Sequence, residues 1–396
     1  MRVLLFTGKG GVGKTTAAAA TATLAARLGR KTLVLSTDAA HSLGDTFAAN
    51  VGAEPTEVDD GLFVQHVDAQ RRLERSWQQI QHYLLSVLDS AGVDPIEAEE
   101  LTVLPGAEEV LALLEVRDQV RSGRWDLVVL DCAPTAETLR LLALPEALAW
   151  YMNRIFPVER RVIKTLRPVL GRLAGVPMPH EEVFDAFERL HAELAEVRDL
   201  LTDPDASIRL VLTPESVVVA EARRTYTSLC LYGYRVDAVI ANRVFPVAGA
   251  DPWRQAWNTA QAAQLAEIDD SFAPLPVYRS PYRSAEPVGV AELAEFGAAA
   301  YGTGTRRPAD PLAPASAEDP MRVSRDGSSY ILSLALPFAD RRDLDLARKG
   351  DELVLTVGGY RRVLALPAAM ARTTVSAAEL TDGRLTVRFA PAKELR

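Results

Sequence analysis

Hydrophobic positions fall into two regimes along the chain, divided near residue 302. Before that point, short runs that are apolar at nearly every position alternate with longer stretches of helical periodicity. The runs are Arg2-Val-Leu-Leu-Phe-Thr7, Thr32-Leu-Val-Leu-Ser-Thr-Asp38, Leu62-Phe-Val-Gln-His-Val-Asp68, Trp125-Asp-Leu-Val-Val-Leu-Asp131, Ile208-Arg-Leu-Val-Leu-Thr-Pro-Glu215, Val236-Asp-Ala-Val-Ile-Ala-Asn-Arg243 and Leu275-Pro-Val-Tyr-Arg279. Continuous apolar runs of this length suit strands of a parallel sheet covered on both faces. Helices are predicted over 17–28, over most of 70–123, over 146–200 and over about 217–232. The first regime therefore predicts an α/β domain with a mostly parallel sheet flanked by helices.

Residues 302–320 are rich in Gly, Pro, Ala and charge and read as a linker. Beyond them the period changes to two, at Tyr330, Leu332, Leu334 and Leu336, at Leu353, Leu355 and Val357, and at Leu385, Val387 and Phe389. Turn signals fall at Gly358-Gly359 and Asp382-Gly383. This second regime predicts a small C-terminal all-β sandwich of roughly 70 residues, within the ordinary size of a domain. The expected division is 1–301, with a helical insertion at about 70–200, then a linker at 302–320 and the sandwich at 321–396.

Chemistry concentrates where the first run breaks into Gly8-Lys-Gly-Gly-Val-Gly-Lys-Thr-Thr16. Gly8, Gly13, Lys14 and Thr15 match the G-x-x-x-x-G-K-[ST] pattern between a strand and a helix, the arrangement of a P-loop NTPase. Backbone N–H groups of such a loop close around phosphate oxygens at a helix N-terminus. The expected ATP-binding positions are thus Gly8, Gly10, Gly11, Val12, Gly13, Lys14, Thr15 and Thr16. Lys14 would neutralise the β and γ oxygens, and the Thr15 hydroxyl would ligate Mg²⁺. Asp38 and Asp131 end two strands of parallel type, and ligands bind beyond the carboxyl ends of such strands. Asp131 is the expected second magnesium ligand, acting through water. Asp38 reads either as the group that orients the attacking water or as a helix N-cap.

The full string Gly8-Lys9-Gly-Gly-Val-Gly-Lys14-Thr-Thr16 resembles the deviant Walker A family, which includes arsenite-pump and tail-anchored-protein targeting ATPases. Asp38-Ala-Ala-His-Ser-Leu-Gly-Asp45 resembles their switch I, Leu104-Pro-Gly-Ala-Glu-Glu109 their P-G-x-x-E segment, and Cys132-Ala-Pro-Thr-Ala-Glu-Thr-Leu-Arg140 their switch II. Ala39 stands where the family has proline, and Ala136 and Glu137 where it has Gly and His. The resemblance implies that Lys9 reaches a partner subunit's nucleotide in a homodimer, which makes Asp38, Lys9 and Lys14 the candidate catalytic residues. It also implies that Asn242 reads adenine, where the alternative is a turn-forming Asn, and that Glu286 in Glu286-Pro-Val-Gly289 lies on the nucleotide side. Relatives from fungi and animals carry a zinc-binding C-x-x-C between the last two strands. Residues 246–262 contain no cysteine, so no zinc is expected. Gly350-Asp-Glu-Leu-Val-Leu-Thr-Val357 and Ala378-Glu-Leu-Thr-Asp-Gly-Arg-Leu-Thr-Val387 resemble the α-crystallin domain.

Ile155, Val158, Val162, Leu166, Val169 and Leu173 recur at steps of three and four, with Arg160, Arg161, Lys164, Arg167 and Arg172 mostly off that stripe. In the targeting relatives the corresponding region builds a groove for a client's hydrophobic helix; an ordinary core-facing stripe is the other reading. Composition narrows the choice of function. With 53 acidic against 44 basic residues the net charge is −9, a poor footprint for a protein that grips nucleic acid. The two cysteines, Cys132 and Cys230, form no C-x-x-C pair, and no signal-peptide pattern or membrane-spanning apolar stretch is seen, which predicts a cytoplasmic protein with at most transient membrane contact. The expected activity is Mg²⁺-ATP hydrolysis by a homodimer whose nucleotide state controls a surface for a hydrophobic protein client. An arsenite-efflux ATPase subunit and a nucleotide-stabilised, non-catalytic holdase remain as alternatives.

Overall fold

The computed structural model describes residues 1–37, 42–67, 107–132, 143, 181–249, 251–308, 310–314 and 319–391. Asp38, the switch II string after Cys132 and the apolar stripe from Ile155 to Leu173 lie outside the described residues. Contacts divide the chain into two units, one of Met1–Gln65, Trp125–Leu139 and Leu201–Arg396, the other of His66–Arg124 and Arg140–Leu200.

In the first unit the seven apolar runs become β1 (Arg2–Thr7), β2 (Thr32–Ser36), β4 (Leu62–His66), β5 (Leu127–Asp131), β6 (Ala206–Leu212), β7 (Val236–Val244) and β8 (Val277–Pro281), and two short strands outside those runs join them, β3 (Thr56–Asp59) and β9 (Gly304–Thr305). They form one sheet in the order β3-β4-β2-β5-β1-β6-β7-β8-β9. The pairs β2–β5, β5–β1, β1–β6, β6–β7 and β7–β8 are parallel, whereas β3–β4 and β8–β9 are antiparallel. Every residue of β1, β2, β5 and β6 is buried, as strands covered on both faces require. The sheet therefore runs one element past the expected last strand, because Gly304 and Thr305 fold back along Val277 and Tyr278.

Helices of this unit include α1 (Lys14–Arg27), α2 (Ser42–Phe47), α5 (Ser216–Leu231), α6 (Pro252–Ser271) and α7 (Val290–Gly302). Alanines from Ala17 to Ala25 bury nearly the whole of α1, and its hydroxyls Thr21 and Thr23 bond back to the carbonyls of Ala17 and Ala19. The second unit holds α3 (Ala107–Arg121) and α4 (Glu181–Thr202), tied by Arg117 to Glu193 at 3.6 Å and by Arg121 to Glu196 at 2.6 Å. Among the described residues, no helix is long and apolar enough to cross a membrane.

The period-two region forms two antiparallel sheets. One has the order β10-β11-β16-β15, from β10 (Met321–Asp326), β11 (Ser329–Ala335), β15 (Thr373–Thr381) and β16 (Arg384–Pro391). The other has the order β12-β13-β14, from β12 (Leu344–Lys349), β13 (Glu352–Val357) and β14 (Tyr360–Ala365). Leu332, Leu334, Leu353, Leu355, Leu385, Val387 and Phe389 fill the space between them. Hairpins close at Gly358-Gly359 and at Asp382-Gly383, where Asp382 and Gly383 both have positive φ (50° and 68°), as a type I′ turn demands.

This sandwich shares its core with α5. Leu231, at the helix C-terminus, is fully buried in the same cluster, and its carbonyl accepts from the buried Arg362 guanidinium. Thr227 donates to the Pro337 carbonyl, and Tyr226, Phe272 and Phe338 pack with ring centroids 5.6 to 6.3 Å apart. The stretch leading to the sandwich is also held. Arg209 donates to the Pro311 carbonyl, Arg30 pairs with Asp310 at 2.5 Å, and Leu312 is fully buried. Because Leu231 fills a site between two packed parts, Leu231→Ala is expected to cost about 2–4 kcal/mol, the usual range for truncating a core leucine. Urea unfolding measures it, and a loss below about 0.5 kcal/mol, the level of an ordinary surface substitution, would contradict the shared core.

Candidate functional site: a phosphate loop among four strand ends

The loop from Gly8 to Gly13 leaves β1 and enters α1 at Lys14. β1 lies between β5 and β6, so the loop emerges among the carboxyl ends of the central strands, the ligand-binding edge of such a sheet. Two of its glycines are required by close approach. A Cβ on Gly8, whose φ is 156°, would run into the Val211 carbonyl of β6. A Cβ on Gly13, at φ 90°, would run into the Asn242 side-chain nitrogen of β7. Such a bare backbone cradle at a helix N-terminus fits a phosphate chain.

Lys14 is buried, and its ammonium donates to the Lys9 carbonyl at 3.4 Å, so it folds over the loop. Lys9 is on the outside, 41 % exposed at its side chain, with its Nζ 3.9 Å from Glu221 of α5. Thr15 and Thr16 occupy the first turn of α1 and are half-buried. Gly10 and Gly11 form the exposed crest, and Val12 is buried beneath it.

Asp131 ends β5 directly opposite Phe6, two residues ahead of Gly8. Its carboxylate is buried and accepts from the Ser36 hydroxyl at 3.4 Å, and its carbonyl accepts from the Thr37 N–H at 3.0 Å. A carboxylate and a hydroxyl, as Asp131 and Thr15 carry, are hard oxygen groups of the kind that suit Mg²⁺, directly or through its water shell.

On the other side of Gly13 a cleft of about 360 Å³ is lined by Gly13, Thr16, Asn242, Arg243, Pro281 to Pro287 and Phe296, within the size range of small-molecule sites. It brings Asn242 and Glu286 together with the loop. Beside it lie groups that the sequence pattern did not single out. Tyr282 stacks on Phe245 at 5.2 Å, and Trp253 and Trp257 of α6 flank Phe245 at 6.5 and 6.1 Å. Trp253 is 65 % exposed and Trp257 is 40 % exposed. Their i, i+4 spacing places both on one face of α6, which was the signal available in the sequence.

A profile of the anion-transporting ATPase family matches residues 1–302, three-quarters of the chain. The chain belongs to the ArsA family of ATPases. A second profile, the HSP20-like domain found in ArsA proteins, matches residues 327–389, the heart of the sandwich. A candidate arsenical pump-driving ATPase of Prosthecochloris vibrioformis is 37 % identical over 98 % of this chain and 96 % of its own. A similarly named protein of Aquifex aeolicus is 35 % identical over 93 % and 94 %. An ASNA1-type ATPase of Trypanosoma cruzi is 30 % identical over 73 % of this chain and 88 % of its own. This ArsA-family chain is an ATPase.

Both thiols of the ArsA-family chain are buried. Burial, reinforced by Asp131 next door and opposed by Lys14, pushes the Cys132 thiol up to about 12. Burial likewise pushes Cys230 up to about 12, with Arg384 opposing. Shifts of this size leave roughly a thousandth of the ordinary thiolate population. Neither cysteine is therefore expected to react with a disulfide reagent at pH 8 in the folded protein within the time that both react after denaturation. Stoichiometric labelling of the native chain at the unfolded rate would refute the burial of these thiols.

Proposed function

We propose that the protein is a magnesium-dependent ATPase that works as a homodimer, and that its nucleotide state opens and closes a surface for a hydrophobic protein client. The domain limits we adopt are 1–301 for the ATPase, 302–320 for the connection and 321–396 for the sandwich, the last serving as an added protein-binding module. The observation that carries the reading is the pair of lysines in one loop, Lys14 folded inward and Lys9 facing out.

Within one subunit, the loop N–H groups from Gly8 to Thr16 would hold the phosphates and Lys14 would neutralise the β and γ oxygens. Thr15 would ligate Mg²⁺ directly and Asp131 through water; when bound, the ion spreads the charge that develops on the transferred phosphoryl group. Asp38 would accept a hydrogen bond from the attacking water and align it. The base would sit in the cleft beside Asn242, with Glu286 on its rim. Lys9 is suited to leave its own subunit. Its ion pair with Glu221 is 3.9 Å long between two partly exposed side chains, and such pairs contribute at most about 1 kcal/mol. Tail-anchored-protein targeting is the client function we favour, with the ASNA1-type relative as support.

The names of the bacterial relatives raise arsenite as an alternative ligand. Arsenite bound through sulfur needs thiolates, and here the two thiols are buried and held protonated, one after β5 and one near the end of α5. That chemistry does not favour an arsenite site on this chain's cysteines.

Purified Lys14→Ala and Asp38→Asn variants are expected to lose ATP turnover by about a hundredfold or more, the scale of removing one transition-state contact. Wild-type rates in either variant would reject its assigned role. With a non-hydrolysable ATP analogue, sedimentation is expected to give a dimer for the wild type and single chains for Lys9→Ala. Single chains of the wild type under those conditions would sink the homodimer.

A further inference from the structure

Asn242 is 4 % exposed and sits where β7 departs from its register with β8, between Ala241 and Val244. Irregularities of this kind re-aim side chains and release backbone groups from the ladder. Here its side-chain nitrogen donates to the Val12 carbonyl at 2.8 Å, and its side-chain oxygen accepts from the Arg243 N–H at 2.9 Å. One partner is an acceptor and the other a donor, so the amide has a single workable orientation. A flipped amide would set oxygen against oxygen and N–H against N–H.

The contact to Val12 fixes more than one carbonyl. A trans peptide is planar, with its C=O and N–H on opposite sides. Holding the Val12 carbonyl toward β7 therefore turns the Gly13 N–H of the same peptide to the other side, away from Asn242. Gly13 has φ 90° and no Cβ, so nothing in its own covalent structure prevents that peptide from turning over. A turned peptide would present a carbonyl oxygen where a phosphate oxygen is to bind, and the two repel.

The mounting of Asn242 is itself braced. Arg243 adopts φ 59°, a rare conformation for a residue with a side chain, and its carbonyl accepts from Gln261 of α6 at 3.2 Å. The oxygen of that same amide accepts from the Phe245 N–H at 2.9 Å, and Gln261 is buried. Two buried carboxamides thus tie the phosphate loop to the end of β7 and the end of β7 to α6.

We propose that Asn242 is a positioning residue for the phosphate loop: its carboxamide locks the Val12–Gly13 peptide in the phosphate-binding orientation. The proposal rests on the reading of the loop as a triphosphate site. It assigns Asn242 a role beyond any contact with the base, since one N–H and one acceptor site of its amide are already committed to Val12 and Arg243.

The test compares magnesium tripolyphosphate, which has no base, with magnesium ATP by calorimetry on the full chain. For Asn242→Leu, similar in size but without hydrogen bonds, both affinities are expected to fall, that for tripolyphosphate by about five- to tenfold, the scale of one net hydrogen bond. The melting temperature without ligand is expected to stay within about 2 °C, since a structural defect would lower it by roughly 2–4 °C per kcal/mol in a larger domain. A fall for ATP alone would make Asn242 a reader of the base and overturn the proposal, as would unchanged affinity for both. Failure of the wild type to bind either ligand would instead reject the triphosphate site itself, and the proposal with it. Should the variant not fold, the wild type supplies the second measurement. The chain has four asparagines, so selective ¹⁵N-asparagine labelling resolves the Asn242 side-chain amide. Tripolyphosphate, which carries no base, is expected to shift that signal; an unmoved signal at saturating tripolyphosphate overturns the proposal.

Discussion

The nucleotide loop is seated by backbone lying against its neighbours at distances that admit no side chain. Gly8 approaches the Val211 carbonyl of β6, and Gly13 approaches the Asn242 amide of β7. Those contacts require β1, β6 and β7 to be neighbours with their carboxyl ends at one edge, which is the order the sheet has. They also explain the placement of the acids. Asp131 and Ser36 come to the same edge because β5 pairs with both β1 and β2 in parallel, so residues at matched register end side by side. The place of Asp131 thus follows from strand order.

One helix borders both parts of the first unit. α5 starts shortly after β6, carries Glu221 near its beginning, 3.9 Å from Lys9, and ends with Leu231 inside the sandwich core. The sandwich is consequently no bead on a string: its core, the buried Arg362 and the Tyr226–Phe272–Phe338 cluster all depend on the far end of a helix whose near end faces the phosphate loop. A rigid helix of 16 residues connects the two by geometry alone.

The parallel strands, the glycine loop and the period-two sandwich were legible because each has a pattern that a single physical rule generates. The Asp382-Gly383 turn was readable for the same reason. What stayed hidden was burial carried by polar or small residues. Thr225, Thr227 and Ser228 make the last turns of α5 look half-solvated, yet all three are buried, with their hydroxyls bonded back to carbonyls four residues earlier. Hydrophobic periodicity does not register such positions, so the surface that receives the sandwich had no apolar stripe to announce it. The segment from 302 to 314 was opaque for a related reason. Its composition is that of a linker, but its anchors, Arg209 and Arg30, lie far back in the chain. At the site, the glycine loop has a local pattern, whereas the amide contacts of Asn242 and Gln261 depend on a strand irregularity that no local pattern marks.

Strands that are apolar throughout carry little information about register, because sliding one past its neighbour exchanges one aliphatic contact for another. The buried charges supply what the aliphatic residues lack. Arg2 of β1, Arg209 of β6 and Asp237 of β7 meet in the interior, with Asp237 at 3.0 Å from Arg2 and 3.2 Å from Arg209. Burial alone would lower the pKa of Arg209, yet the attraction and hydrogen bonding of Asp237, together with Tyr301 and Tyr278, outweigh it and raise that pKa. A slip of one residue between β6 and β7 would carry the guanidinium about 3.3 Å along the strand. That would leave buried charges without partners, at a cost of about 3–5 kcal/mol. The same slip would move Val211 away from Gly8 or Asn242 away from Val12, so the register that pairs these charges at one end of the strands is the register that shapes the phosphate loop at the other. The charged residues inside an otherwise aliphatic sheet thereby make the seat of the glycine loop unique.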